Sequence, residues 1–240
     1  MFKTIICFAY VFISMLYLIP FGIIVVVFSL LGLRKPMSVF MNWIGISWSQ
    51  IMIWLVGCKI TVTGKENIPK KGGLCFVSNH GSIFDIVLFL RYSGRLAGFI
   101  AKKELLFIPV VNMWVWVVGG LFINRKNPRK ALKTINAGIN RLKSGRAMII
   151  FPEGRRSRGQ GLLPFRPGSL KLATQSGAVI VPVALGGTNN VYEKTGRACA
   201  APVQMSFCKP INTAELPPAD RKQILCDRLY ETIKEALEHT

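Results

Sequence analysis

Acidic residues are scarce in this chain of 240 residues. Eleven Asp and Glu stand against 31 Lys and Arg, a formal net charge of +20 at pH 7. So lopsided a balance implies an anionic partner: nucleic acid, an anionic lipid surface or a phosphate-bearing substrate. No nucleic-acid motif with interleaved aromatics is present, so nucleic acid is not expected as a partner. Cys-x-x-Cys and Cys-x-His spacings are also missing among Cys7, Cys58, Cys75, Cys199, Cys208 and Cys226. That removes the common zinc and thioredoxin-like motifs, and no metal site is expected. The cysteines read as reduced packing residues, with Cys75 a buried thiol inside an apolar run. Internal repeats and low-complexity tracts are absent too.

Charge disappears altogether from Thr4 to Leu33, a stretch of Ile, Val, Leu, Phe and Tyr long enough to cross a bilayer. It exceeds a signal-peptide core, shows no small-residue cleavage site and is followed by a second apolar segment, so it is expected to remain in the mature protein. Met37 to Cys58 is uncharged as well, but mixes Trp43, Trp48 and Trp54 with Asn42, Ser47, Ser49 and Gln50, the pattern of an interfacial helix. Arg34 and Lys35 in the connection disfavour its export. Two arrangements fit: one span followed by an in-plane helix, or two helices half-buried in the cytoplasmic leaflet with a bend at Pro20. Either makes residues 1–58 a membrane anchor and residues 59–240 a cytoplasmic domain. Only Lys3, Arg34 and Lys35 are charged before Lys59, so the formal charge of residues 59–240 is +17.

Beyond Lys59 the chain shortens its apolar runs. Ile60 to Thr63, Leu74 to Val77, Leu96 to Ala101, Gly120 to Ile123, Ala147 to Phe151 and Val179 to Ala184 read as strands, several of them continuous enough for burial on both faces. A helix is expected from Pro128 to Ser144, with Asn127 as N-cap and Gly145 just past its end. Another follows Asp220, with Leu225, Leu229, Ile233 and Leu237 in one stripe. The alternation predicts an α/β fold: a mixed, largely buried sheet flanked by helices, preceded by the two-helix membrane-embedded segment.

Histidine is nearly as rare as Cys pairing. His239 lies next to the C-terminus, which leaves His80, in Asn79-His80-Gly81-Ser82-Ile83-Phe84-Asp85, with a carboxylate five residues on. An imidazole accepts a proton near neutral pH, and a neighbouring Asp fixes its tautomer and stabilises the imidazolium. The alternative is structural: Ser82 and Asp85 have the spacing of a capping box opening the run Ile86 to Leu90. Further on, Phe151-Pro152-Glu153-Gly154-Arg155-Arg156-Ser157-Arg158 follows a strand, so guanidinium groups and backbone N–H donors collect at a strand end, where open α/β sheets bind ligands. A solvated basic turn would carry the same residues. The lone Glu153 amid these cations is expected to orient an Arg or a backbone N–H. Arg125 ends Gly119-Gly120-Leu121-Phe122-Ile123-Asn124-Arg125 either at the same sheet edge or as an ordinary surface residue.

Taken in order behind an apolar N-terminus, Asn79 to Asp85 (NHxxxxD), Gly119 to Arg125 (GxxFIxR), Phe151 to Gly154 (FPEG) and Val181 to Val183 (VPV) resemble the 1-acylglycerol-3-phosphate O-acyltransferase family of glycerolipid acyltransferases. Ala101 to Leu105, Ile108-Pro109 and Pro164 to Gly168 add to the similarity, which covers most of the chain. Arg155 departs from the family's usual Thr, Arg166 from its common Lys, and Asn112 from a frequent Gly. The resemblance implies transfer of a fatty acyl group from a thioester, acyl-CoA or acyl carrier protein, to the 2-hydroxyl of 1-acyl-sn-glycerol 3-phosphate (lysophosphatidic acid), giving phosphatidic acid, with no cofactor. His80 would be the general base and Asp85 its partner. Arg125, Glu153, Gly154 and Arg158, with Lys102, would meet the acceptor phosphate. Membrane lipids would be partners, and a bacterial inner membrane, catalytic domain on the cytoplasmic face, the expected location. Two rivals remain: the same chemistry on another lysolipid or on glycerol 3-phosphate, and a non-catalytic membrane-tethered basic binding module.

Overall fold

The computed structural model describes residues 1–217 and 223–238. Asp220 and His239 lie outside the described residues. The apolar N-terminus forms three helices: α1 (Phe2–Tyr17), α2 (Ile19–Leu30) and α3 (Arg34–Val56). The first expected segment is thus broken in two, with α1 and α2 bent by 45° and Pro20 in the first turn of α2. Proline suits that position because a first-turn N–H has no intrahelical partner to lose. The unbroken apolar helix is the second segment: Pro36–Val56, 21 residues of mean hydropathy 1.4, is long and apolar enough to cross a membrane. Arg34 and Lys35 open α3 instead of lying in a loop before it.

The polar residues of α3 find partners in the protein. Trp48 stacks on Tyr10 and its Nε1 donates to Ser14 Oγ at 2.8 Å, the buried Ser49 Oγ donates to the Gly45 carbonyl, and Gln50 accepts from Arg91 Nε. Trp43 and Trp54 point outward, 66% and 75% exposed.

The rest is a mixed sheet of β1 (Lys59–Thr63), β2 (Leu74–Ser78), β3 (Ala97–Lys102), β4 (Leu121–Ile123), β5 (Ala147–Ile150), β6 (Val179–Gly186), β7 (Pro202–Phe207) and β8 (Ile211–Asn212). The strand order is β1-β7-β6-β2-β5-β3-β4, with β8 also on β6; only the pairings of β6 with β7 and β8 are antiparallel. All six expected strands are present within one or two residues; β7 and β8 were not expected. The helices are α4 (Phe84–Tyr92), α5 (Val111–Val117), α6 (Pro128–Lys143), α7 (Lys171–Ser176) and α8 (Gln223–Glu238). Asn127 caps α6 by accepting from the Lys130 N–H, and Leu225, Leu229 and Ile233 of α8 are buried.

Burial on both faces explains why the central strands read as continuous apolar runs. Leu74 and Phe76 of β2 join Val181, Val183, Leu88 and Phe89 on one face, whereas Cys75 and Val77 join Ile180, Leu142, Leu172 and Leu229 on the other. The first of these cores also takes in Cys7 of α1 and Ile53 and Val56 of α3. The N-terminal helices therefore pack directly on the layer that carries α4.

Candidate active site

The central parallel strands end at one edge of the sheet, and the chemistry-bearing loops follow β2 and β5. Asn79 takes over where β2 stops: its amide Nδ2 donates to the Leu185 carbonyl at 2.9 Å and its Oδ1 accepts the Leu185 N–H at 2.8 Å, so a side chain extends the ladder to β6. His80 is thereby held at the strand end. Its carbonyl accepts the Ser157 N–H at 2.7 Å, and its ring stacks on Phe151 at 4.0 Å between centroids.

Asp85 sits in the first turn of α4, fully buried, with Oδ2 2.7 Å from His80 Nδ1 and 3.0 Å from the Ser82 N–H. A carboxylate only accepts, so Nδ1 carries the ring proton and Nε2 keeps its lone pair. One Asp85 oxygen thus both accepts from the chain entering α4 and meets the imidazole. The box is not reciprocal, because Ser82 Oγ accepts from Phe84 rather than from Asp85.

Glu153 is almost fully buried, and its carboxylate faces backbone: Oε1 accepts the His80 N–H at 2.6 Å and Oε2 the Leu163 N–H at 3.3 Å. Burial pushes its pKa up to about 7; the two N–H donors and Arg155 pull the other way, while Asp85 adds to the rise.

Two guanidinium groups meet over Gly154. Arg125, just beyond β4, donates to the Gly154 carbonyl, and a Cβ built on Gly154 would stand 3.4 Å from the Arg166 guanidinium carbon and 3.5 Å from Arg125. The φ of +76° at Gly154 is a second reason for glycine. Burial lowers the pKa of Arg125, as does Arg166, whereas Glu104 raises it. Among the described residues neither guanidinium has a carboxylate within salt-bridge distance. Two unneutralised cations side by side favour an anion with paired oxygens.

The other expected site residues lie at the surface. Arg158 is exposed with φ +52°, and Lys102 is exposed and 3.8 Å from Glu104. Cys75 is wholly buried, which pushes its thiol far above the usual range and leaves it no nucleophilic character. No three His, Cys, Asp or Glu side chains gather as metal ligands among the described residues.

Glu193 carries a part that no motif suggested. Its Oε1 accepts the Ile83 N–H at 2.9 Å and pairs with Arg156 at 2.9 Å, so one nearly buried carboxylate ties the His80–Asp85 loop to the segment after Gly154. In sequence, Glu193 is 110 residues from Ile83 and only the fold brings them together.

Known proteins resemble this chain in sequence and in fold. The chain is 41% identical over 145 residues to a 1-acyl-sn-glycerol-3-phosphate acyltransferase of Borreliella burgdorferi, covering 60% of this chain and 58% of that one. It is 36% identical over 137 residues to the protein of that name from Salmonella typhimurium, covering 57% and 56%, and 31% identical over 195 residues to that of Saccharomyces cerevisiae, covering 77% and 63%. The chain thus spans less than two thirds of the length of each. The crystal structure of the 1-acyl-sn-glycerophosphate (LPA) acyltransferase PlsC from Thermotoga maritima superposes with a TM-score of 0.82 at 27% identity, over 99% of this chain and 96% of that one. The family model described as Acyltransferase matches residues 59–186, more than half of the sequence and all of the strand-end loops that carry His80, Asp85, Arg125 and Glu153, and the chain belongs to the acyltransferase family.

Proposed function

We propose that this acyltransferase moves a fatty acyl group from a thioester, acyl-CoA or acyl carrier protein, to the 2-hydroxyl of 1-acyl-sn-glycerol 3-phosphate, forming phosphatidic acid. The observation that carries the reading is the pairing of two centres through adjacent residues: Glu153 holds the backbone of the Asp-oriented His80, and two unneutralised guanidinium groups meet over Gly154. The names of the relatives support the same acceptor.

In this mechanism His80 Nε2 takes the proton of the 2-hydroxyl as its oxygen attacks the thioester carbonyl carbon. Asp85 stabilises the imidazolium through Nδ1–H. The tetrahedral intermediate collapses by breaking the C–S bond, and the imidazolium returns its proton to the departing thiolate. A thiolate leaves readily, so a positioned base is enough and no acyl-enzyme forms. Arg125 and Arg166 hold the acceptor phosphate, with Arg158 and Lys102 at its approach. Gly154 lets the phosphate come close. Glu153 holds the His80 backbone, not the phosphate.

Residues 1–58 are assigned as the membrane anchor and residues 59–240 as the catalytic part on the cytoplasmic face, in a bacterial inner membrane. The sharing of one core by α1, α3 and the sheet favours the half-buried arrangement over a full span. A helix packed along α4 and the sheet has one side closed to lipid.

The test follows thiol release from palmitoyl-CoA and oleoyl-CoA by purified full-length protein, with and without 1-oleoylglycerol 3-phosphate. Acceptor-dependent release, phosphatidic acid as product, and a fall of at least about 100-fold in His80→Ala are expected. Equal rates with a lysolipid whose phosphate bears a head group would instead point to another acceptor.

A further inference from the structure

A second apolar surface lies far from the N-terminus in sequence. Between β3 and α5 the chain forms a short 3-10 helix, Lys103–Phe107, and its tip exposes Leu106, Phe107 and Ile108 at 47%, 78% and 46%. Phe107 is among the most exposed large apolar residues outside the N-terminal helices. Trp116 on α5 is 48% exposed as well. Three consecutive exposed apolar residues in a loop are unfavourable in water.

Part of the loop's polar backbone is paired from within. Asn112 Nδ2 donates to the Leu106 carbonyl at 2.9 Å, the Ile108 N–H donates to Leu105, and the Asn112 N–H donates to the Ile108 carbonyl. Apolar side chains outside and paired backbone inside are what a segment entering lipid requires. Asn112, the departure from the family's frequent Gly, is the residue that supplies the side-chain donor.

The loop is also continuous with the apolar N-terminal helices. Met113 and Trp114 of α5 pack into a cluster with Val25, Met41 and Val117, Trp114 Nε1 donates to the Met15 carbonyl, and Gly22 of α2 lies against Met113. The exposed side of α2 adds Ile23, Val27, Leu30 and Leu31. Lys102 and Lys103 precede the tip, and β4, paired to the end of β3 at Lys102 and Ile123, leads directly to the exposed Arg125 and Lys126. Apolar residues with a basic rim match a bilayer of anionic lipid: acyl chains meet the tip, headgroups the cations.

We propose that the Leu106-Phe107-Ile108 tip inserts into the same leaflet as the N-terminal helices, as a second and separate membrane contact. This rests on the reading of residues 1–58 as membrane-embedded. Its consequence is orientation. β3 and β4 pair at Lys102 and Ile123, just before the tip and just before Arg125 respectively, so a tip at acyl-chain depth holds Arg125, and Arg166 with it, near the headgroup layer. The acceptor phosphate then reaches the guanidinium groups without leaving the interface. A second contact, apart in sequence from α1 to α3, fixes the tilt of the domain on the leaflet.

The test places photoreactive p-benzoylphenylalanine singly at Phe107, Leu30 and Leu132 of the full-length protein in nanodiscs of phosphatidylethanolamine and phosphatidylglycerol. Leu30 reports the N-terminal helices, and Leu132, exposed on α6, reports water. Lipid adducts are read by mass spectrometry. Yields at 107 and 30 at least roughly tenfold that at 132 are expected for sites in contact with acyl chains. Adducts at 30 without adducts at 107, equal yields at 107 and 132, or crosslinks from 107 to a second copy of the chain would each overturn the insertion. Adducts at neither 30 nor 107 would overturn the membrane reading of the N-terminus along with it.

Discussion

Asp85 shows how one side chain can serve folding and chemistry together. Its Oδ2 receives both the Ser82 N–H and the imidazole Nδ1–H, so removing the side chain would confuse the two roles. Asp85→Asn separates them. The amide oxygen can still accept from one donor, but it cannot stabilise an imidazolium as a carboxylate does. We expect a folded protein with acyl transfer lowered by about 10³-fold or more, as when an Asp orienting a catalytic His loses its charge. Circular dichroism and single-turnover transfer measured side by side check this. Loss of helix and of melting transition together would instead show Asp85 to be chiefly structural.

Glu153 provides a pH prediction with a definite sign. Its folded pKa, about 7, lies above the ordinary carboxylate value of 4.5, because burial favours the neutral form. The folded protein binds this proton more tightly than the unfolded chain does. Stability from this group is therefore greatest at low pH, declines as pH rises from about 4.5 to about 7, and is flat beyond, a loss of at most roughly 3 kcal/mol. Glu153→Gln keeps an acceptor for the His80 N–H and removes the titration. Melting temperatures in detergent between pH 5 and pH 8 should show a smaller decline for the variant than for the parent. Groups not coupled to Glu153 titrate equally in both proteins, so the difference isolates Glu153 and its coupling to Asp85 and Arg155.

Among the elements, the loop from β2 into α4 depends most on distant support. Asn79 fastens it to β6, Ser157 and Glu153 hold the His80 backbone, and Glu193 holds Ile83 and Arg156. Glu193→Ala leaves the Ile83 N–H without its acceptor and Arg156 without its carboxylate. A stability loss of about 1–3 kcal/mol is expected from the unmade hydrogen bonds. A misplaced imidazole should also lower the rate by roughly 10- to 100-fold. Glu193→Gln, which retains the Ile83 contact and loses only the charge, should recover most of the rate. Equal loss in both variants would trace the effect to the Arg156 ion pair alone.

The elements also differ in how plainly the sequence announces them. β2, β5 and β6 are buried on both faces and read as unbroken apolar runs. β7 begins with Pro202 and alternates, burying Val203, Met205 and Phe207 while Gln204 and Ser206 stay half-buried. That weaker pattern hides it, as does the two-residue length of β8. α5 is a seven-residue apolar run that periodicity cannot assign. Only its packing against α2 makes it a helix with a purpose. The break between α1 and α2 was legible at Pro20 and the helix of Met37 to Cys58 is present as α3, whereas the partners of its polar residues were not legible. Trp48 pairs with Ser14 and Gln50 with Arg91, partners that local sequence does not name, whereas Ser49 bonds back one turn to Gly45.

At the scale of the whole molecule, the proposed reaction sets positive charge and apolar surface to act together on an anionic amphiphile. The net charge of +20 should draw such an acceptor to the site from beyond contact distance, a long-range effect that salt removes. Raising salt from 0.1 M to 1 M shortens the Debye length from about 10 Å to about 3 Å. In neutral detergent micelles, kcat/KM for the anionic acceptor should fall several-fold over that range, with kcat nearly constant. A flat profile would confine the electrostatics to direct contacts with Arg125 and Arg166.

Residue order by itself determined the pairing of His80 with Asp85, the six principal strands, the apolar N-terminus and the family resemblance, because each depends on spacing or periodicity within a short stretch. The tertiary structure alone decided that Arg166 joins Arg125 over Gly154, that Glu153 turns to the His80 backbone, and that Glu193 braces the loop. It also packed α5, the helix that follows the Leu106–Ile108 tip, against α2. These contacts join segments from about ten to more than one hundred residues apart, and no local pattern encodes which distant strand ends will meet when a sheet closes its order.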